Sequence, residues 1–300
     1  MTDLTTQNTP SKFKLWLAAI KPPMYSVAIV PILLGTAIAY HDTESYDRQI
    51  LTTFVVSAIL ILAWLNLSND VFDADTGIDR NKVESIVNLT GKKSLIFWTS
   101  NLLLIIAFFG IAAISYWQQD PTVIILVLLC CVLGYSYQGP PFRFGYLGLG
   151  EIICFVTFGP LAIAAAYYSQ TQTFANSAIA ASIFIGITTS IILFCSHFHQ
   201  IKDDLAAGKL SPIVRLGTAK GAKVLTGAVI SVFILVVVFV SLGLFPLPTI
   251  LTFISLPFAW QLIDLVNKNH DRPELVRTSK YIAVRLHFAS GLSLIIGYLL

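Results

Sequence analysis

Long apolar runs broken by short polar segments dominate this chain, and none alternates residue by residue as a half-buried strand would. Runs of about 18 or more residues are the length a helix needs to cross a hydrocarbon core, where only helices and closed barrels satisfy their own backbone. About nine can be counted: Phe13 to Tyr40, Ile50 to Leu67, Leu95 to Trp117, Pro121 to Tyr137, Tyr146 to Tyr168, Ala178 to Ser196, Gly221 to Leu244, Pro246 to Val266 and Tyr281 to Leu300. The expected fold is all-α, a multi-pass transmembrane helical bundle. Residues 1–12 read as a polar, disordered tail, and 13–300 as a single transmembrane domain capped by loops 68–94 and 197–220.

Composition agrees with this reading. Of 300 residues, 56% are apolar and 12% charged, and mean hydropathy is +0.77, a balance that leaves too little polar surface for a soluble protein. A formal net charge of +3 adds little; the lipid bilayer is an expected partner and nucleic acid is not. The placement of the basic residues matters more. Lys12, Lys14, Arg80, Lys82, Lys92, Lys93, Arg143, Lys202, Lys209, Arg215, Lys220, Lys223, Lys268, Arg272, Arg277 and Lys280 fall in the tail or after even-numbered runs, against Arg48 alone on the other side. The positive-inside rule then puts the N-terminus in the cytoplasm and the C-terminus opposite. Ala37-Ile38-Ala39 imitates a signal-cleavage site, but the segment before it is too long and holds Lys21-Pro22-Pro23, so cleavage is not expected. Cys130, Cys131, Cys154 and Cys195 lie inside apolar runs without metal-ligand spacing and read as packing residues.

Two polar segments carry the chemistry. The first, Asn69 to Lys82, places Asp70, Asp73, Asp75 and Asp79 within ten residues, a density of negative charge that asks for a cation. Asn69 and Asp73 share a face if the second helix continues past its apolar run. Hard oxygen ligands in a loose cluster suit magnesium, which keeps some waters and takes further ligands from a phosphate. Helix capping or plain solvation is the competing reading of these acids. The second segment, His197 to Gly217, weighs against it by repeating the arrangement: paired acids Asp203 and Asp204 directly after an apolar run, followed by Lys209 and Arg215. Ser85-Ile86-Val87-Asn88-Leu89-Thr90-Gly91 also echoes Ser211-Pro212-Ile213-Val214-Arg215-Leu216-Gly217, as a weak internal duplication would.

With these residues in view, the chain resembles the UbiA superfamily of intramembrane prenyltransferases. Asn-Asp-x-x-Asp at Asn69 to Asp73, the later acidic segment closing in Val214-Arg215-Leu216-Gly217, and about nine spans carry the likeness over nearly the whole chain. Asn69 to Asn81, Ser85 to Lys92 and His197 to Thr218 bring it nearest to the MenA branch in its cyanobacterial and plastid form. The chain departs from the superfamily pattern twice. Gly77 stands where many members carry a third aspartate, leaving Asp79 as the candidate, and Gln200 precedes Asp204 where Asp-x-x-x-Asp is usual.

The resemblance implies transfer of a prenyl group to 1,4-dihydroxy-2-naphthoate from phytyl diphosphate, with geranylgeranyl diphosphate as the alternative donor. In a cyanobacterial source it implies the plasma or thylakoid membrane. It also implies a magnesium-bound diphosphate with Asn69, Asp70, Asp73 and Asp79 as ligands, Asp203 and Asp204 sharing a second role that His197 or His199 assists. Arg80, Lys82, Lys202, Lys209 and Arg215 are candidates for the diphosphate, although any membrane protein would place basic residues on this side. Lys21 and Arg285 sit inside predicted spans; either could bind the naphthoate carboxylate, or each could snorkel to the headgroups. Tyr137 and Arg143 match a loop that borders the diphosphate and aromatic pockets, His197, His199 and Gln200 fall in a segment that favours naphthoate, and Glu151 could hydrogen-bond the acceptor hydroxyls or pair with Arg143. Rival readings are another aromatic acceptor, such as a chlorophyll, tocopherol or haem precursor, and a transporter with a cation site.

Overall fold

The computed structural model describes residues 16, 17, 19–78 and 85–300. Eight helices in it are long and apolar enough to cross a membrane: α1 (Pro22–Thr43), α2 (Arg48–Thr76), α3 (Lys93–Gln118), α5 (Gly150–Thr171), α6 (Asn176–Ala206), α7 (Thr218–Ser241), α8 (Leu247–Asn269) and α9 (Pro273–Leu299). A ninth apolar helix, α4 (Thr122–Gln138), falls in the fourth predicted run. Large apolar side chains such as Phe109, Tyr116 and Trp260 point outward, each more than 70% exposed, which suits a surface bathed in lipid. This is a multi-pass integral membrane protein.

Local chemistry sets the boundaries. The first run is interrupted at Lys21, whose φ of 53° is left-handed, and α1 then starts on Pro22 and Pro23, which need no intrahelical N–H partner there. Asp47 caps α2, its Oδ1 accepting from the backbone N–H of Gln49 at 2.7 Å and of Ile50 at 3.0 Å. α2 continues two turns beyond the apolar run ending at Leu67, and α6 likewise runs on to Ala206. Asn69, Asp70, Asp73, His197, Lys202, Asp203 and Asp204 therefore project from rigid helix ends, whereas loops were expected to carry them. Inside α5 a π turn spans Thr157–Leu161, where Pro160 lacks the N–H that a regular turn requires.

The helices form a ring. α2 packs on α1 and α3, α5 on α1 and α4, α6 on α5 and α7, and α9 on α1, α6 and α8. Two large apolar cores result, one shared by α1 and α5 through α9, the other by α1 through α5, and a small third one joins Val71 and Phe72 of α2 to Ala19, Ile86, Val87 and Ile96. The crossing of α1 on α5 is close: a Cβ on Gly35 would lie 2.5 Å from Ala166 Cβ and 2.9 Å from the Tyr167 backbone nitrogen. Gly35→Ala is expected to destabilise the bundle by about 1–3 kcal/mol through overpacking, measurable as a lower thermal unfolding midpoint in detergent. An unchanged midpoint would mean that the two helices can separate at this point without loss.

Candidate active site

A cavity of about 260 Å³ lies between the two cores, lined by α1, α2, α4, α5 and α6 with Lys280 of α9. Along α2 it reaches from Asn69 down to Phe54, roughly 22 Å at about 1.5 Å per residue. Its walls are apolar, among them Ile32, Leu62, Val127, Phe158 and Ile192. The deeper Thr157 and Thr189 turn their hydroxyls to the carbonyls of Ile153 (2.7 Å) and Ile185 (3.0 Å), so they add little polarity. Asn66, Asn69, Tyr137, Ser196 and Lys280 sit at the head, the end at which the chain enters the bundle.

Beside the head, Asp70 and Asp73 project from adjacent turns of α2, 2% and 9% exposed. Asp70 Oδ2 accepts from the Ile86 N–H at 2.8 Å, tying the short loop helix Ile86–Thr90 to α2, and Lys21 Nζ lies 3.9 Å from Oδ1. Asp73 Oδ1 accepts from Gln138 Nε2 at 2.6 Å, linking α2 to α4. Both carboxylates are thus aimed by neighbours as well as buried.

Across the head lies a second cluster. His197 Nδ1 is 3.1 Å from Asp204 Oδ2 and its Nε2 is 3.3 Å from Glu151 Oε1, while Lys209 Nζ approaches Asp204 Oδ1 at 3.5 Å. His197, Asp204 and Lys209 are 2%, 1% and 5% exposed, so each charge here has its partner within the protein. Tyr137 lines the head and packs against Gly150, the residue before Glu151. Its ring is fixed by close backbone: a Cβ on Gly145 or Gly150 would come within 2.5 Å or 2.7 Å of it.

The predicted residues separate accordingly. Asn69 and Tyr137 line the head; Asp70, with Lys21 near it, and Asp73 follow Asn69 on α2; and Glu151, His197, Asp204 and Lys209 form one linked cluster. Lys202 and Asp203 are exposed, His199 and Gln200 are half-buried on the same turn of α6, and Asp79, Arg80 and Lys82 lie outside the described residues. Arg215 acts as a brace, its Nε donating to Leu210 O at 3.1 Å and its Nη2 to Leu147 O at 3.0 Å. Arg143 is half-buried in a left-handed turn and Glu151 pairs with His197, not with it; Arg285 faces outward. Four residues were missed. Asn66 was legible as a polar residue one turn below Asn69 in an apolar run, but Lys280 was hidden among topogenic cations, Gln138 in a loop phrase and Ser196 at a run's end.

The duplicated phrases fold alike. Ser85 and Ser211 each precede a five-residue helix, Ile86–Thr90 and Pro212–Leu216, and each closes on a glycine of positive φ, Gly91 at 65° and Gly217 at 77°. Each loop also reaches back to an acid on the helix before it, by Ile86 to Asp70 and by Lys209 to Asp204.

Among the described residues no three His, Cys, Asp or Glu side chains converge as a metal cage. Magnesium does not need one: one or two carboxylates suffice when waters and a phosphate supply the rest. The hard oxygens of Asp70 and Asp73, with the Asn69 amide beside them at a cavity head, fit that ion. Asp204 fits it less well, since His197 and Lys209 approach its oxygens at 3.1 and 3.5 Å, whereas the cationic Lys21 stands 3.9 Å from Asp70.

The sequence profile of the UbiA prenyltransferase family matches residues 28–283. A Synechocystis protein named 2-carboxy-1,4-naphthoquinone phytyltransferase is 55% identical over 98% of this chain and 96% of its own. Its chloroplastic counterpart in Arabidopsis thaliana is 41% identical over 95% of this chain and 76% of its own. The structure of a UbiA homologue from Archaeoglobus fulgidus bound to GPP and Mg2+ superposes with a TM-score of 0.58 at 16% identity, covering 94% of this chain and 99% of that one.

The Asp204 pairing generates a test of stability. Lys209→Met leaves a buried carboxylate without its cation and should cost about 3–5 kcal/mol, seen as loss of folded protein by size-exclusion in detergent. Adding Asp204→Asn to it should restore most of the loss; a double variant as unstable as the single one would refute the pairing.

Proposed function

We propose that this chain, which belongs to the UbiA prenyltransferase family, transfers the phytyl group of phytyl diphosphate to 1,4-dihydroxy-2-naphthoate with loss of carbon dioxide. The product is the 2-phytyl naphthoquinol of phylloquinone synthesis. The observation that carries this reading is one continuous cavity with a long apolar body and a polar head, beside which the buried Asp70 and Asp73 follow the lining residue Asn69 on α2. A polyprenyl diphosphate has the same division, a C20 hydrocarbon joined to a dense anion.

Asp70 and Asp73, with Asn69 beside them, would hold a magnesium ion, and Asp79 is a further ligand by sequence. The ion supplies counter-charge to the departing diphosphate when bound. Lys21, beside Asp70, and Lys280, at the cavity head, add positive charge on the same side, and Arg80 and Lys82 are further candidates by sequence. Ionisation leaves an allylic cation, which water would destroy; the apolar walls keep it in a dry space until the ring attacks. The attacked carbon bears the carboxylate. When the new C–C bond forms, the C–CO2 bond breaks and its electron pair restores the aromatic ring, so no net proton is removed. Glu151, Tyr137 and His197 border the half of the head away from the acids of α2, where the naphthoate would lie.

The distribution of basic residues supports placing this head at the cytoplasmic face. A transporter reading has less support, because the described acids gather at the helix ends and not at mid-bundle, where a coupled cation site is expected.

Membranes holding the protein, given phytyl diphosphate and 1,4-dihydroxy-2-naphthoate, should form phytylated naphthoquinol with release of carbon dioxide when magnesium is present, and not with EDTA. Asp73→Ala should lower the rate at least about 100-fold in protein that remains folded. Undiminished turnover in EDTA or in Asp73→Ala would remove the metal assignment. Prenylation of a different aromatic acid in its place would remove the acceptor.

A further inference from the structure

We infer that Glu151 receives the hydroxyl next to the attacked carbon, and that His197 and Asp204 hold it in position, so the site selects the reduced, dihydroxy form of the acceptor. The inference rests on the acceptor proposed above. Cys154, Phe158, Ala162 and Ala165 of α5 line the cavity, and Glu151 lies on the same stripe one turn above Cys154. Glu151 therefore sits just above the lined stretch of the cavity, one turn from the wall along which the substrate would lie. Both carboxylate oxygens are shielded from solvent, yet neither takes a hydrogen bond of good geometry within the protein; the approach of His197 Nε2 at 3.3 Å is a charge contact. A carboxylate kept from water with open acceptor positions is costly unless a bound molecule supplies a donor.

The acceptor supplies one. In 1,4-dihydroxy-2-naphthoate the 1-hydroxyl is ortho to the carbon that bears the carboxylate, and left alone it hydrogen-bonds internally to that carboxylate. Donated to Glu151 instead, it releases the carboxylate to depart and pushes electron density into the carbon that meets the phytyl cation. As the C–C bond forms, the hydroxyl proton shifts toward Glu151 and the oxygen takes carbonyl character. As the C–CO2 bond breaks, its electron pair returns to the ring and the proton returns to the oxygen. No oxidant or base is consumed. An oxidised 2-carboxy-1,4-naphthoquinone has no such proton, and its carbonyl oxygen would face the carboxylate of Glu151.

His197 and Asp204 are positioning residues here. The ring of His197 is held by Asp204 Oδ2 on one side and presents its other nitrogen to Glu151, which fixes the carboxylate on the stripe. Lys209 balances Asp204 from behind.

The test uses the full-length protein in detergent, with 1-hydroxy-2-naphthoate and 2-naphthoate as competitors of 1,4-dihydroxy-2-naphthoate. Wild type should bind the hydroxylated competitor about 10- to 100-fold more tightly, the range of a hydrogen bond to a charged group. In Glu151→Gln that preference should shrink at least fivefold while KM for phytyl diphosphate stays within about twofold, a split that a general structural defect would not produce. His197→Asn should give an intermediate preference. Equal binding of the two competitors by wild type, or an unchanged preference in Glu151→Gln, overturns the inference while leaving the prenyl transfer reading intact. Should Glu151→Gln fail to fold, the wild-type preference and His197→Asn decide. If wild type does not prenylate 1,4-dihydroxy-2-naphthoate at all, the parent reading falls and this inference with it.

Discussion

A charge inside an apolar bundle survives only beside a partner, and that constraint organises this molecule. Asp70 is met by Ile86 and Lys21, Asp73 by Gln138, and Asp204 by His197 and Lys209. Each pairing joins a helix to a loop or to another helix, so the same contacts that make the acids tolerable also fix the head of the cavity. Below that level the walls of the cavity are mainly apolar. The result is an axial division, with polar and charged side chains gathered at one rim and an apolar cavity below it.

The division also explains why two similar segments came to differ. Both follow a long helix, both contain a serine, a five-residue helix and a glycine, and both reach back to an acid. In the first, two buried carboxylates stand one turn apart beside the cavity head. In the second, Gln200 replaces a carboxylate, Asp203 faces solvent, and Asp204 is taken up by His197 and Lys209. On the proposed function, the first would serve the donor head and the second the aromatic partner.

Much of this was legible in the sequence, because hydrophobic run length and the density of aspartates are direct consequences of the bilayer and of charge repulsion. The runs located every apolar helix, and the likeness of Ser85–Gly91 to Ser211–Gly217 anticipated a repeated turn. Helix ends were less legible. Apolar runs stop at Leu67 and Ser196, but a helix continues wherever its backbone has partners, so the loops inferred there were the last turns of α2 and α6. Pairings across helices were hidden altogether: Gln138 with Asp73 and Glu151 with His197 join residues far apart in the chain, and no local pattern announces them. Lys280 escaped because a cation at a span's edge looks the same whether it serves topology or a cavity.

If the cavity holds the hydrocarbon of the donor beneath its polar head, a plug in its wall should block long donors. Ala58 lines the wall on α2, well below Asn69, roughly 16 Å at about 1.5 Å per residue. Ala58→Phe should lower transfer from phytyl diphosphate by more than about 10-fold while transfer from the shorter geranyl diphosphate persists. Equal loss of both, or loss of neither, would contradict the account and place the hydrocarbon elsewhere.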